Sequence, residues 1–309
     1  MKKVLIVSCT SGLCNRIHSI LGSKLLAERM GRDLLVFWPE NTELGASADY
    51  VFANPPALIS ADDLLFRVSR PEITIRVFNS GFVPFVECDN VEDSDHDVLL
   101  VKSWFIPRLK GESHTYHSYL SLRQYLDDVA FNPDIVRLAT PEEYSNHVGV
   151  HVRHGDPQPD GRVFQTDYFQ SDLELFKRAM GMICDKNPDA RFYVSSPCER
   201  VKIDLAKNFN VDYAVTVPYR TPEGIQDAIV DFTNLCGCNC LIGSYRSQFT
   251  RMVGFVTQKT VAIVTDPPHL DLVGCIPVTL QEIADWTIRR LAGDEIQDPL
   301  QSLHPPSGF

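Results

Sequence analysis

The segment from His147 to Arg162, HVGVHVRHGDPQPDGR, gathers ionisable side chains at one point of the chain. An apolar strand is expected at 148–152. Its alternation puts His151 and Arg153 on one face near the carboxyl end. Arginine suits such a place because its guanidinium can meet two phosphate oxygens at once. His154, Asp156 and Asp160 follow in a Gly/Pro loop, where ionisable crowding marks either an anion site or an ion-paired strand end. A second candidate runs from Ser8 to Arg16. Gly12 lets backbone approach a ligand, a helix N-terminus favours an anion, and Asn15 and Arg16 add donors. An ordinary helix cap uses the same residues. Neither G-x-G-x-x-G nor a Walker lysine is present. The third candidate runs from Asp231 to Arg251, DFTNLCGCNCLIGSYRSQFTR. Asp231 falls on a helix. Ser247 and Gln248 open the next helix just after Gly243 and Ser244, with Arg251 one turn on. A helix start with a hydroxyl and free N–H groups can hold phosphate, or simply cap itself.

Three other patterns carry competing chemistry. Cys236, Cys238 and Cys240 alternate, but no second Cys/His pair lies at metal-site spacing, so buried thiols are expected. Glu92, Asp93, Asp95, His96 and Asp97 contain D-x-D twice. They precede the strand expected at 98–101 rather than follow one, so an acidic solvated loop is expected. Arg153-His154-Gly155 matches the R-H-G of histidine phosphatases. That chemistry needs R-H-G on the first strand and a second catalytic histidine, and only His269 and His304 follow His154.

These residues need strands and helices to position them. A strand at 4–8 is followed by Leu13, Ile17, Ile20, Leu21 and Leu25 at helical spacing, a stop at Gly31, and a strand at 34–38. Residues 40–135 are irregular apart from a strand at 99–102 and a helix at 116–128. Beyond them come strand 148–152, helix 167–184, strand 191–195, helix 198–208, an extended stretch at 213–217 and a helix at 222–235 with Pro222 at its first position. Strand 240–243, helix 247–258, strand 261–265 and an amphipathic helix at 280–291 complete the order. Two parallel α/β units are expected, 1–140 and 141–309, with ligand in a crevice beyond the carboxyl ends of the strands.

Composition narrows the partners. At about 150 residues per domain, 309 residues make two domains, and 44% hydrophobic with 22% charged residues is a globular profile. With 29 basic against 40 acidic residues the net charge is −11, which disfavours a nucleic-acid polymer or anionic membrane surface but leaves room for one small anion beside a few arginines. No apolar run approaches the roughly 20 residues of a membrane helix. The apolar stretch after Met1-Lys2-Lys3 is shorter than the roughly 7–15 residues of a signal-peptide core. Nine cysteines, an odd number, agree with a reduced, cytoplasmic protein.

Taken together, the three segments resemble the fucosyltransferase superfamily, which includes α1,6-fucosyltransferases, nodulation fucosyltransferases and, more distantly, protein O-fucosyltransferases. G-L-C-N-R opening the first helix is similar to the N-terminal loop. H-V-R-H-G-D resembles the H-x-R motif. Asp231 with Ser247-Gln248 resembles the last donor-binding motif, and V-S-S-P at 194–197 sits at the family's strand-end turn. Residues 40–135 show no match. The resemblance implies a GT-B-like fold of two Rossmann-like domains facing a central cleft, an N-terminal acceptor domain and a C-terminal donor domain. It implies that the last helix packs back on the N-terminal domain. It further implies an inverting transfer of fucose from GDP-fucose to a hydroxyl of a glycan or glycoconjugate, with no metal and no cofactor beyond the donor. Arg153 would then bind the β-phosphate. His151 and Asp231 would hold the nucleoside, since a carboxylate can accept both N1–H and the 2-amino group of guanine. Ser247, Gln248, Arg251, Ser195 and Ser196 would complete the donor site, with Gly12, Asn15 and Arg16 in the cleft loop. Unlike α1,6 members with two consecutive arginines, this chain follows Arg153 with His154. Asp156, Asp160 and Asp167 are candidates for the general base, Asp156 being nearest the motif. A nucleotide-sugar-binding protein without turnover is the remaining alternative.

Overall fold

A computed structural model describes residues 2–79, 90–103, 106–109, 121–154, 156–157, 163–164, 171–215, 217, 221–244, 247–259, 261–264 and 280–293. The chain divides into two compact units, Met1–Pro133 with Arg220–Ile225, and Asp134–Tyr219 with Gln226–Phe309.

The first unit is built on β1 (Val4–Cys9), α1 (Leu13–Arg29), β2 (Asp33–Phe37), α2 (Ala48–Val51), α3 (Ala61–Ser69), β3 (Ile75–Asn79), β4 (Asn90–Val91), β5 (Val98–Ser103) and β6 (Arg108–Leu109). Four strands form a parallel sheet in the order β2-β1-β5-β3. Parallel sheets are covered on both faces, which is why β1 and β5 read as nearly continuous apolar runs. Val4, Ile6 and Val98 pack with Ile59 and Ile73 on one face. Gly31 sits just beyond α1 at φ 61°, the left-handed position where a helix commonly stops. Within the stretch expected to be irregular, α2, α3 and β3 are regular. Ser47 and Ser60 cap the two helices by accepting the N–H of Tyr50 and Asp63. The expected helix at 116–128 is a 3-10 helix over Leu122–Val129, and residues 116–120 lie outside the described residues.

The second unit contains α4 (Pro133–Val136, its first residue counted with unit one), β7 (Val148–His151), β8 (Asp156–Pro157), β9 (Val163–Phe164), α5 (Leu173–Lys186), β10 (Phe192–Ser195), α6 (Glu199–Ala206), β11 (Val211–Asp212), α7 (Pro222–Gly237, its first four residues counted with unit one), β12 (Cys240–Ser244), α8 (Gln248–Thr257), β13 (Val261–Val264) and α9 (Leu280–Leu291). Its sheet runs β11-β10-β7-β12-β13, parallel throughout, with β7 in the centre. The strand expected at 213–217 lies two residues earlier and is only two residues long. One face of this sheet, Val148, Val150, Phe192, Val194 and Ile242, packs on Phe176, Met180 and Ile183 of α5.

The last helix has contacts within the second unit. Ala284 is buried in the core of the second unit, Ile288 and Leu291 pack against that core, and Asp285 pairs with Lys186 of α5. Its described apolar side chains are thus packed within its own unit. Among the described residues, no helix is long and apolar enough to cross a membrane.

Candidate functional site at the strand ends of the second unit

Register builds this site. Ser195 of β10, His151 of β7 and Gly243 of β12 are Cα partners, so their side positions share one face at the carboxyl ends of three adjacent strands. Two residues back on that face, Tyr193 pairs with Gly149. A Cβ on Gly149 would lie 2.6 Å from Leu241 Cδ2, 3.0 Å from Leu235 Cδ2 and 3.1 Å from Cys238 Cβ, so its bareness lets α7 close onto the sheet. Asp231 and Asn234 of α7 thereby reach Tyr193.

His151 is buried, with Nδ1 2.6 Å from Thr250 Oγ1 and 3.3 Å from Ser247 Oγ. Burial, with Arg153 beside it, pushes its pKa down to about 3, so the ring is neutral at ordinary pH. In the tautomer whose Nδ1 accepts from Thr250, Nε2 carries the proton and can donate to a ligand. Phe249 lies 4.8 Å away, centroid to centroid.

Beyond β7, the main chain of Arg153 is pinned on both sides. Its N–H donates to Ser244 Oγ at 2.7 Å, and its carbonyl accepts Ser171 N–H at 3.0 Å. Ser244 Oγ in turn donates to the His151 carbonyl at 3.0 Å. His154 Nδ1 approaches the Ser171 carbonyl at 3.4 Å.

Ser247 is the N-cap of α8, its hydroxyl accepting Thr250 N–H at 3.3 Å. Gln248 and Arg251 occupy the first turn and are half-buried. Gln248 Oε1 is buried without a hydrogen-bond partner among the described residues. Ser195 and Ser196 are buried. Ser195 helps to lower the Asp231 pKa, and Ser196 Oγ accepts Cys198 N–H at 3.2 Å.

The carboxylate of Asp231 is 7% exposed. Its Oδ1 accepts the Tyr193 hydroxyl at 2.6 Å, and its Oδ2 lies 3.9 Å from Lys202 Nζ. Burial raises its pKa, and Lys202, Tyr193 and Ser195 oppose the rise. Motif reasoning singled out none of Tyr193, Lys202, Asn234, Ser244, Phe249 or Thr250. Thr250 lies under His151 only because Gly243 is bare, a Cβ there falling 2.2 Å from Thr250 Cγ2 and 2.8 Å from its Oγ1. Gly243→Ala is expected to cost about 1–3 kcal/mol by overpacking. Thermal melting checks this, and adding Thr250→Ser, which removes the clashing methyl, recovers part of the loss.

The cleft-loop residues lie in the first unit. Asn15 Nδ2 donates to Ser11 Oγ at 2.7 Å, and Gly12 is the extended N-cap of α1. Arg16, expected as a donor at the mouth of the crevice, has its donors engaged within the protein. It is fully buried, donating from Nε to Ser11 O at 2.8 Å, from Nη1 to Pro39 O at 2.7 Å and from Nη2 to Asn41 Oδ1 at 3.0 Å. Its guanidinium carbon lies 4.9 Å from the Trp38 ring centroid. An internal anion already meets this turn, since Ser11 N–H donates to Glu43 Oε2 at 2.6 Å.

Among the base candidates, Asp156 falls in β8, paired antiparallel with β9, and only its backbone is described. Asp160 and Asp167, like His269 and His304, lie outside the described residues. The acidic run is structural. Asp93 pairs with Arg32 at 2.9 Å, Asp95 with Lys3 at 3.3 Å, and Asp97 accepts from Thr74. Cys236, Cys238 and Cys240 carry free thiols whose pKa values burial raises. Among the described residues, no three His, Cys, Asp or Glu side chains are grouped to hold a metal ion.

Parallel sheets with polar side chains gathered at their carboxyl ends define a mixed α/β protein consistent with a Rossmann-like glycosyltransferase fold. In particular, the chain is similar to NodZ α1,6-fucosyltransferase co-crystallised with GDP, at 18% identity and a TM-score of 0.57 over 88% of this chain and 98% of that one. The same figures relate it to fucosyltransferase NodZ from Bradyrhizobium. A variant of Arabidopsis thaliana FUT1 in complex with GDP matches at 15% identity and a TM-score of 0.53, over 86% of this chain and 71% of that one. POFUT1 in complex with GDP matches at 12% and 0.51, over 85% and 99%. No protein-family model matches the chain, and no curated protein matches it in sequence. The likeness to fucosyltransferases expected from the three motifs is thus met at the level of fold.

Proposed function

We propose that this protein is a fucosyltransferase that moves fucose from GDP-fucose to a hydroxyl of a glycan or glycoconjugate, with inversion and without a metal. The observation that carries this is the grouping of His151, Arg153, Ser195 and Asp231 at the carboxyl ends of β7 and β10, in a fold shared with fucosyltransferases crystallised with GDP. In the proposed reaction the acceptor oxygen attacks C1 of fucose from the face opposite the nucleotide. The bond from C1 to the β-phosphate oxygen breaks, and GDP leaves with the electron pair. Charge grows on that oxygen, and Arg153 stabilises it. At the start of α8, Ser247 assists with its hydroxyl, Gln248 with its N–H and Arg251 with charge. This supplies electrostatically what a divalent cation supplies in other transferases. Asp231 accepts the N1–H and 2-amino group of guanine, and the neutral His151 donates to the nucleoside. A carboxylate, for which Asp156 is the candidate, takes the acceptor proton.

A thermal-shift panel tests this directly. GDP at a hundred times its dissociation constant is expected to raise the melting temperature by roughly 5 °C or more in the presence of EDTA, and UDP to leave it unchanged. Stabilisation by UDP and not by GDP would overturn the donor assignment. Loss of transfer activity in EDTA would overturn the metal-free mechanism.

A further inference from the structure

Asp231 is held by a directed network rather than a single neighbour. The backbone N–H of Thr140 donates to Asn234 Oδ1 at 2.9 Å. This fixes the orientation of that amide, so Asn234 Nδ2 faces Tyr193 and donates to its hydroxyl at 3.1 Å. The Tyr193 hydroxyl, accepting there, has its own proton free for Asp231 Oδ1 at 2.6 Å. Lys202 Nζ lies 3.9 Å from the other oxygen, Oδ2. This lysine is 2% exposed, and its ammonium also donates to the Ala214 carbonyl at 2.7 Å. A buried lysine is costly unless an anion accompanies it. A carboxylate has about four lone-pair sites. Tyr193 occupies one, which leaves room for a ligand with two adjacent donors.

We infer that Lys202 and Tyr193 are positioning residues that fix the Asp231 carboxylate for the paired N–H donors of guanine, and so set the preference for guanine nucleotides. This rests on the proposed role of Asp231 in binding guanine. Neither residue needs to touch the nucleotide. The groups facing Asp231 are Tyr193 and Ser195 of β10, Lys202 of α6 and Asp227 on its own helix, whose pKa burial also raises. Removing Lys202 takes away the largest influence that keeps Asp231 ionised, so its pKa must rise further. A protonated Asp231 cannot accept both guanine donors, so binding weakens as pH falls.

The test measures GDP and IDP affinities by titration calorimetry from pH 5.5 to 9. IDP lacks the 2-amino group. The intact protein is expected to prefer GDP by about tenfold or more, the value of a charge-assisted hydrogen bond. In Lys202→Met this preference is expected to shrink at the acid end of the range and return as the pH rises. Asp227→Asn in both backgrounds removes the titration of that neighbour. Should Lys202→Met fail to fold, Tyr193→Phe, which removes one hydroxyl, is expected to show the same collapse of GDP over IDP. If the variants discriminate like the intact protein with an unshifted pH profile, the positioning role is overturned and the guanine assignment stands. If the intact protein itself does not separate GDP from IDP, the guanine assignment fails and this inference with it.

Discussion

Arg153→Ala is expected to lower kcat for fucose transfer by about 10²–10³-fold, the cost of losing one preorganised group aimed at charge that develops in the transition state. The side chain emerges from a backbone that cannot drift. Its N–H is tied to Ser244 on β12 and its carbonyl to Ser171 ahead of α5. A fixed origin for a guanidinium at a strand end is what leaving-group stabilisation requires. Because the charge on the β-phosphate grows as the C1–O bond breaks, kcat should fall more than the affinity for GDP does. Arg153→Lys restores charge but not the two-pronged geometry, so partial recovery is expected. Steady-state kinetics with GDP-fucose and single-variant GDP titrations separate the two effects. An unchanged kcat with a raised KM would reduce Arg153 to a ground-state binding residue. The neighbouring His154 provides the contrast. Its removal should leave transfer near normal, whereas a phosphohydrolase built on Arg153-His154-Gly155 would lose all phosphate release with it.

How much of this site is legible in sequence depends on whether a side chain's task is local. His151 and Arg153 are legible because strand alternation and a following Gly/Pro loop already place them at a strand end. Ser247 is legible because an N-cap is a short-range device. Lys202 is not, since it sits in ERVKIDLA, where a lysine reads as part of a solvated face. Only the tertiary structure, which brings the Ala214 carbonyl and Asp231 to its ammonium, turns it inward. Tyr193 likewise reads as one more apolar residue of a buried strand, and its hydroxyl gains meaning from Asn234 and Asp231 some forty residues on. Fold class was legible for the same local reason, through apolar runs alternating with helical stripes. The partner of a stripe was not. The periodicity of α9 says that one face must be buried and is silent on where, and the answer is α5. Within 40–135, α3 carries a Ser60 cap with Asp63 three residues on, but it is short and none of its residues is fully buried.

Arg16→Ala should destabilise the protein by about 3–5 kcal/mol while leaving the GDP affinity of the folded fraction unchanged. The sequence places Arg16 in the first turn of α1, where an anion-binding role is natural. The structure uses its charge differently. Three of its N–H groups satisfy Ser11 O, Pro39 O and Asn41 Oδ1, and its flat face covers Trp38. Truncation strands two main-chain carbonyls, opens a cavity against Trp38 and frees the turn after β1. In that turn Ser11 holds a left-handed φ of 71°, a conformation a serine keeps only when its surroundings fix it. Glu43 on the Ser11 N–H and Arg16 on its carbonyl are those fixings. Ser11→Gly, which relieves the backbone penalty, should therefore recover part of the loss in the Arg16→Ala background. Arg16→Lys, able to reach one acceptor rather than three, should fall between. A melting-temperature drop of roughly 10 °C with unchanged calorimetric GDP affinity, measured well below the melting transition, is the expected pair of results. A fully stable variant that no longer binds GDP would return Arg16 to the donor site and overturn the structural role assigned here.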